Sequence, residues 1–236
     1  MNEHHQMIDF SKKVSILENA LNYKFKNLDL LKEALSHPSL KQHDNTVNDY
    51  ERFEMLGDSI LGFLITEMVF NNFYLYEEGD IAKIKSYAVS HEIVVKVAQK
   101  LNLAEYIIMT EGEERSGGRT NKNNMENAME ALLAAIYLDS DIIGVKKIVR
   151  NYWFKYIKNV DFSAIDPKSS LQEWTQKQKH SVPIYEVIEK IGLVHEPVFT
   201  VIVRAGEHEQ TATGTSIKEA EKKAAKKLLQ RLKTSH

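Results

Sequence analysis

The sequence predicts an all-α N-terminal domain followed by a smaller α+β domain with the element order α-β-β-β-α. Apolar residues recur at three- and four-residue spacing through most of residues 11–158, which is the pattern of amphipathic helices. After the segment NVDFSAIDPK the spacing changes, and the run PVFTVIVRAG alternates as a strand does. We therefore place a helical domain at 11–158, a linker at 159–165 and a second domain at 166–234.

Six segments of the first domain carry the helical spacing, and turn-forming residues separate them. The segments are ILENALNYKF, LDLLKEALSHP, RFEMLGDSILGFLITEMVF, DIAKIKSYAVSHEIVVKVAQKL, MENAMEALLAAIYLDS and IGVKKIVRNYWFKYI. The short run YIIMT fits a helix or a strand equally well.

The second domain opens with a short helix, PKSSLQEWTQKQK. PIYEVIEKIG is predicted to be a strand that ends in a glycine turn, and PVFTVIVRAG is the next strand. EQTATGTS is β-prone and ends in small polar residues that suit a helix start. The final segment, IKEAEKKAAKKLLQRL, predicts a charged amphipathic helix.

Composition restricts the classes of function. The chain contains no cysteine, which excludes a disulfide scaffold, thiol catalysis and cysteine metal sites. No apolar run reaches membrane-spanning length and the N-terminus lacks an apolar signal core, so we expect a soluble cytoplasmic protein.

The two parts of the chain differ in charge. Residues 166–236 hold 12 Lys and Arg against 9 Asp and Glu, while the preceding 165 residues hold 19 Lys and Arg against 24 Asp and Glu. This asymmetry weakly indicates different roles for the two domains.

Three acids share one stripe of a predicted helix. Glu51, Glu54 and Asp58 fall within roughly 60° of one another at helical spacing. Clustered carboxylates need either good solvation or a cation, and oxygen ligands of this kind suit Mg²⁺. On this stripe alone, a solvated helix face is the commoner explanation. We expect the opposite side to face the core through Phe53, Leu56, Ile60 and Leu64.

A second helix presents a similar pattern. Asn127 and Glu130 are three residues apart, and the small residues Ala131 and Ala134 lie beside them and would let another helix approach closely. Two such helices could share a metal between their oxygen ligands. Glu126 lies near the same face and is interpreted as a surface residue. Glu78 follows YE in a segment whose acids suit a helix N-terminus.

The segments NDYERFEMLGDSIL, EEGDIAKIKS, SGG at 116–118 and ENAMEALLAAIYLD resemble the signature motifs of ribonuclease III. The C-terminal segment resembles a double-stranded RNA-binding domain in its element order. The resemblance implies an Mg²⁺-dependent endoribonuclease, with Mn²⁺ as a substitute. It would hydrolyse double-stranded RNA to 5′-phosphate and 3′-hydroxyl ends, act as a homodimer through the catalytic domain, and process ribosomal precursors and other structured or messenger RNAs.

The resemblance also assigns roles to individual residues. It implies that Glu54 and Asp58 bind metal and that Glu130 is essential for cleavage, with Asp58 and Glu130 the catalytic pair. Asn127 occupies the fourth metal position, and Glu51 and Glu78 line the cleft.

Two positions depart from the family pattern. Asn127 stands where the family usually has Asp; it keeps an oxygen ligand but removes a negative charge, so we expect weaker Mg²⁺ binding or a shifted metal optimum. Met55 replaces a usual aromatic residue that inserts into the partner subunit. Because Met is apolar and adaptable, we expect the dimer to persist.

The RNA-binding residues follow from the same resemblance, since A-form RNA is read through its minor grooves and phosphates. Gln172 and Glu173 on the first helix and His195 in the loop GLVHEP match minor-groove contacts. Ser216 caps the last helix, where Lys218, Lys222 and Lys226 form a stripe that suits phosphates. A solvated helix face is the alternative for this stripe, and Ile217 and Glu221 stand where lysine is common.

Two functions are compatible with the sequence. One is the metal-dependent endoribonuclease, and the other is a non-catalytic protein of the same ancestry that binds duplex RNA, with Asn127 as a mark of lost catalysis. The retention of Glu54, Asp58 and Glu130 favours the enzyme.

Overall fold

The protein is described here by a computed structural model covering residues 13–41, 44, 46–74, 76–158, 160–161, 166–193 and 196–234. The chain divides into two compact units between Asn159 and Val160. The predicted linker residues 159 and 162–165 and the predicted RNA-binding residue His195 lie outside the described residues.

The N-terminal unit is helical, as the sequence predicts. Its helices are α1 (13–21), α2 (Leu28–Leu35), α3 (Glu51–Asn72), α4 (Glu78–Ala88), α5 (His91–Lys100), α6 (Glu111–Arg115), α7 (Lys122–Asp139) and α8 (Ile142–Lys158), with 3-10 turns at Leu103–Tyr106 and Gly118–Thr120. Among the described residues, no helix is long and apolar enough to cross a membrane.

Helix α7 is the centre of this unit, and it packs against α2, α3, α5 and α8. Its run from Ala128 to Ile136 is buried throughout, and every residue of the run except Glu130 is small or apolar and packs against the surrounding helices. On α3, Ile60 and Leu64 are buried as expected. The expectation for Phe53 and Leu56 was wrong in degree, because both side chains remain partly exposed.

The ambiguous segment YIIMT ends a 3-10 turn at Tyr106 and is extended from Ile107 onward. Ile108 forms a parallel bridge with Ser36. Its backbone N–H donates to the Leu35 carbonyl at 2.7 Å, and its carbonyl accepts from the His37 N–H at 2.8 Å. These bonds fix the chain just after α2, close to the residues that lead into α3.

The C-terminal unit has the predicted α-β-β-β-α order, so the predicted fold class is confirmed. Its elements are α9 (Pro167–Lys177), β1 (Ile184–Leu193), β2 (Glu196–Ala205), β3 (His208–Gly214) and α10 (Ile217–Thr234). The strands form an antiparallel sheet in the order β1-β2-β3. One face of the sheet packs against the helices around Leu171, Val203 and Leu228.

The predicted glycine turn after β1 was wrong. Gly192 lies inside the strand, opposite Pro197, with a φ of +95°. A Cβ atom there would lie 2.4 Å from the Glu196 carbonyl oxygen, so only glycine fits where the backbones of β1 and β2 come this close.

Candidate active site and RNA-binding face

The two acidic helices, α3 and α7, touch through their backbones at Gly57. A Cβ atom built on Gly57 would lie 1.8 Å from the Glu130 carbonyl oxygen, far inside any possible contact. The small residue that allows this approach is therefore on α3, one position before Asp58. The predicted small residues of α7, Ala131 and Ala134, are fully buried. The contact brings the acids of α3 next to those of α7.

Glu130 is the most enclosed of the predicted site acids, with 8% of its surface exposed. Glu54 and Asn127 are partly buried, and Asp58 is exposed at the edge of the cluster. The exposure of the predicted metal ligands therefore increases from Glu130, in the protein interior, to Asp58, at the surface. A substrate can reach the Asp58 end of the cluster, while packing fixes the Glu130 end.

Burial and mutual repulsion raise the pKa values of the cluster. Burial is the main cause that raises the pKa of Glu130 to about 8, and the charges of Asp58, Glu126 and Glu54 raise it further. Burial also raises the pKa of Glu54, with contributions from Glu51, Glu126 and Asp58. These acids therefore act on one another across the α3–α7 contact. A carboxyl poised near neutral pH in this way is typical of functional sites.

Glu126 is the acid that the sequence interpretation placed wrongly, as a surface residue. Its side chain is only 22% exposed, and its carboxylate meets His91 Nδ1 at 2.5 Å. His91 is the first residue of α5, so it reaches Glu126 from a third helix. Only its position one turn before Glu130 was visible in the sequence.

The side chain of Asn127 is hydrogen-bonded to a buried tyrosine, Tyr50. Tyr50 is 2% exposed, and burial raises its pKa to about 12. A side-chain hydrogen bond from Asn127 opposes that rise, as a bond donated to the phenolic oxygen does. The Tyr50 ring packs edge-on against His37 at 5.7 Å. The amide of Asn127 is thus tied to the packed interior.

Glu113 and Asn124 form a polar layer near this tyrosine that the sequence analysis missed. Asn124 donates to Glu113 Oε1 at 3.3 Å and to the Gly118 carbonyl at 3.1 Å. Glu113 Oε1 also lies 3.7 Å from His37 Nε2. The layer ties the SGG segment to the start of α7.

The two predicted cleft acids differ in position. Glu51 is the first residue of α3 and is exposed, and its charge acts on Glu54. Glu78 is the first residue of α4, exposed, and is not among the acids that raise the pKa of Glu54 or Glu130. Within the described ranges, no three His, Asp or Glu side chains already stand together as a metal-binding group.

The C-terminal unit presents the predicted RNA-binding residues on its surface. Gln172 and Glu173 are exposed on α9. Ser216 caps α10, because its hydroxyl accepts from the Glu219 N–H at 3.2 Å, while Glu219 Oε2 accepts from the Thr215 N–H at 2.7 Å. These two bonds fix the start of the lysine-rich helix.

Helix α10 separates its lysines from its core residues. The predicted stripe Lys218, Lys222 and Lys226 is exposed, and the opposite side, Ala220, Ala224 and Leu228, is buried. Two acids nearby are already engaged by other lysines: Glu221 meets Lys168 at 2.5 Å and Glu219 meets Lys223 at 2.7 Å.

Comparisons with known proteins match the two parts of the chain to different families. Residues 27–157 match the "Ribonuclease-III-like" family model, and residues 167–232 match the "Double-stranded RNA binding motif" model. The chain is 54% identical to "Ribonuclease 3" of Rickettsia bellii, over 92% of this chain and 96% of the relative. It is 52% identical to "Ribonuclease 3" of Rickettsia felis, over 96% of this chain and 100% of the relative.

A solved structure resembles the N-terminal unit. The nuclease domain of ribonuclease III from Campylobacter jejuni is 33% identical, with a TM-score of 0.57, and the match covers 62% of this chain and 97% of that one. Family models, relatives and fold agree, and the chain therefore belongs to the ribonuclease III family, as an endoribonuclease that carries a double-stranded RNA-binding motif after its helical nuclease domain.

Proposed function

We propose that this endoribonuclease hydrolyses phosphodiester bonds in double-stranded RNA with Mg²⁺, or Mn²⁺ in its place, leaving 5′-phosphate and 3′-hydroxyl ends. Its substrates are ribosomal RNA precursors and other structured RNAs, messenger RNAs among them, in the cytoplasm. The observation that carries the proposal is the enclosed carboxyl of Glu130, whose pKa is raised to about 8 beside Asp58 and Glu54. Repelling acids held together in this way are suited to a cation.

The donor set fits a hard divalent cation. We assign Glu54, Asp58, Asn127 and Glu130 as the residues that would hold it, because each offers an oxygen atom and three are negatively charged once deprotonated. The raised pKa values of Glu54 and Glu130 support the assignment, since a positive charge would offset the burial that mainly raises them and the repulsion that adds to it. When bound, Mg²⁺ supplies a Lewis acid for the phosphate and lowers the pKa of a bound water.

The residues of the chain prepare the site for this chemistry. At neutral pH the raised pKa leaves a proton on much of the Glu130 carboxyl, and Glu130 would release that proton to solvent on holding a cation. Asp58 stands at the open edge, where the anionic backbone of RNA can approach. Glu51 and Glu78 are assigned as acids that line the cleft. Asp58 and Glu130 are the proposed catalytic pair.

The C-terminal unit is proposed to hold the duplex. Gln172, Glu173 and Ser216 are assigned to minor-groove and backbone contacts, with His195 as a further contact outside the described residues. Lys218 and Lys222 are assigned to phosphates, which their exposure on α10 supports. The assigned domain boundaries are 11–158 for the nuclease, 159–165 for the linker and 166–234 for the RNA-binding domain.

A homodimer through the nuclease domain is part of the proposal. Helix α3 carries an exposed apolar face, with Met55 72%, Phe63 59% and Phe70 68% exposed. An apolar face of this extent on a folded domain suits a partner, and a second copy would give one site for each strand of the duplex. Met55 is flexible enough to fill a pocket that usually receives an aromatic ring.

The competing function is duplex-RNA binding without cleavage, and Asn127 is the residue that favours it. Purified protein should be mixed with a long perfect RNA duplex and titrated with Mg²⁺ and then Mn²⁺, with Glu130→Gln as the matched control. Metal-dependent cutting by the natural protein but not by Glu130→Gln supports the enzyme. Binding without cutting in either metal leaves only the RNA-binding protein.

A further inference from the structure

We infer that Glu126 is a further acid of the active site and supplies the negative charge that Asn127 lacks. Glu126 would act as a positioning residue, through its charge rather than as a direct metal ligand. The inference rests on the proposed divalent-cation site, and it adds to that site a residue that the family resemblance does not assign.

The backbone places Glu126 at the right point of α7. It precedes Asn127 directly and lies one helical turn before Glu130, so its side chain belongs to the same stripe as the proposed ligand Glu130. Only 22% of the Glu126 side chain is exposed, so the side chain lies against the protein and does not extend into solvent. A solvated surface acid would have a much larger exposed fraction.

A specific contact fixes the carboxylate of Glu126. His91 Nδ1 lies 2.5 Å from Glu126 Oε2, and His91 comes from the N-terminus of α5, which packs against α7. One carboxylate oxygen is therefore engaged by the imidazole. This arrangement suits an acid that adjusts the field of the site from just outside the ligands, as outer partners of metal sites commonly do.

The charge of Glu126 reaches both helices of the site. It contributes to the raised pKa of Glu130 on its own helix and to that of Glu54 on α3. A negative charge that favours the binding of protons by its neighbours favours the binding of a cation beside them in the same way.

The charge balance explains why Asn127 can be tolerated. An Asp at position 127 would give the four proposed ligands four negative charges, and Asn127 leaves three. Glu126 returns the missing charge at the adjacent residue of the same helix. Affinity for a hard cation depends on the number of charges around it as well as on its direct ligands.

The test is direct binding of Mn²⁺ to the full chain without RNA, measured by electron paramagnetic resonance of free Mn²⁺. The variants are Glu126→Gln, Asn127→Asp and the double variant that carries both changes. We expect Glu126→Gln to weaken binding about 10-fold. The double variant, which moves the charge by one residue, should return to within about 3-fold of the natural protein.

Glu92→Gln is the matched control, because it removes one carboxylate from an ion pair on α5, with Lys96 at 2.7 Å. It should leave Mn²⁺ binding unchanged. Unfolding curves in EDTA establish that each variant is folded. Unchanged Mn²⁺ binding by Glu126→Gln overturns the inference, and so does a double variant as weak as Glu126→Gln.

The same experiment separates this inference from the proposed function. A natural protein that neither binds Mn²⁺ nor cuts duplex RNA refutes both. A natural protein that binds and cuts, with Glu126→Gln indistinguishable from it, refutes the role of Glu126 alone.

Discussion

Gly57 lies directly against the backbone of Glu130, so closely that a methyl group on Gly57 would stand 1.8 Å from the Glu130 carbonyl oxygen. The contact joins the two helices that carry the proposed ligands, with Glu54 and Asp58 on either side of the glycine and Glu130 opposite. The separation of these acids is therefore set by the absence of a single side chain. Folding and the geometry of the site depend on the same contact.

Replacement of Gly57 by Ala should force α3 and α7 apart. Since the obstructing atoms are backbone, they cannot move aside as a flexible side chain would, and we expect a loss of about 2–3 kcal/mol in the free energy of unfolding. Cleavage should fall even where the variant is folded, because Glu54 and Asp58 move away from Glu130. Urea unfolding and single-turnover cleavage measure the two effects.

Gly62→Ala is the control on the same helix, where an added Cβ meets nothing within 4 Å. There the change should be neutral or stabilise α3 by about 0.5–1 kcal/mol, as alanine does in helices. Equal effects of the two substitutions would contradict the role assigned to the Gly57 contact.

The pH dependence of stability should reveal Glu130. Its folded pKa of about 8 lies above the ordinary value of 4.5, so the folded state binds more protons between these two values. The stability of the metal-free protein should therefore be greatest below about pH 4.5, as far as Glu130 contributes, and should fall as pH rises to 8. The loss due to this residue is on the order of a few kcal/mol.

Glu130→Gln removes this titration while keeping the shape of the side chain. Unfolding in EDTA at intervals from pH 5 to 8.5 should show a smaller fall for the variant, with the remainder coming in part from Glu54, whose pKa is also raised. Parallel curves for the two proteins would show that Glu130 is not titrating in this range.

Much of this site could be predicted from the sequence, because helical spacing alone places Glu54 and Asp58 on one stripe and Asn127 and Glu130 on another. The fold class followed from the change of spacing near residue 160. The role of Gly57 could not be predicted, since a glycine within a helix has no periodic signature. Its importance depends on which helix lies opposite.

The position of the Glu126 side chain also could not be predicted from the sequence. Its spacing from Glu130 was visible, but its direction is fixed by His91, which is 35 residues away in the chain and on another helix. In the C-terminal unit, Gly192 was predicted to form a turn because glycine is common there. Its place inside β1 depends on how closely the backbone of β2 approaches it. That distance is set by the pairing of the two strands, which the sequence pattern does not reveal.

The exposed apolar face of α3 predicts how the proposed dimer should respond to a charge. Met55→Asp would bury a carboxylate in the proposed subunit contact, so the dimer dissociation constant should rise at least about 100-fold. Met55→Phe, which restores an aromatic residue, should keep the dimer. Sedimentation velocity at micromolar concentration distinguishes the two. A dimer that survives Met55→Asp would place the contact elsewhere.

The lysine stripe of α10 predicts a specific change in salt dependence. Lys222 is exposed on the proposed phosphate-facing side, so Lys222→Ala should weaken duplex-RNA binding several-fold and reduce the slope of log K against log salt by about 0.9.

Lys223→Ala is the neighbouring control, because the ammonium group of Lys223 is 2.7 Å from the Glu219 carboxylate on the same helix. That variant should leave the slope unchanged. Binding should be measured from 50 to 200 mM salt, roughly the range over which such slopes are resolved. Equal changes for both lysines would mean that α10 contributes only net charge, rather than an ordered contact with phosphates.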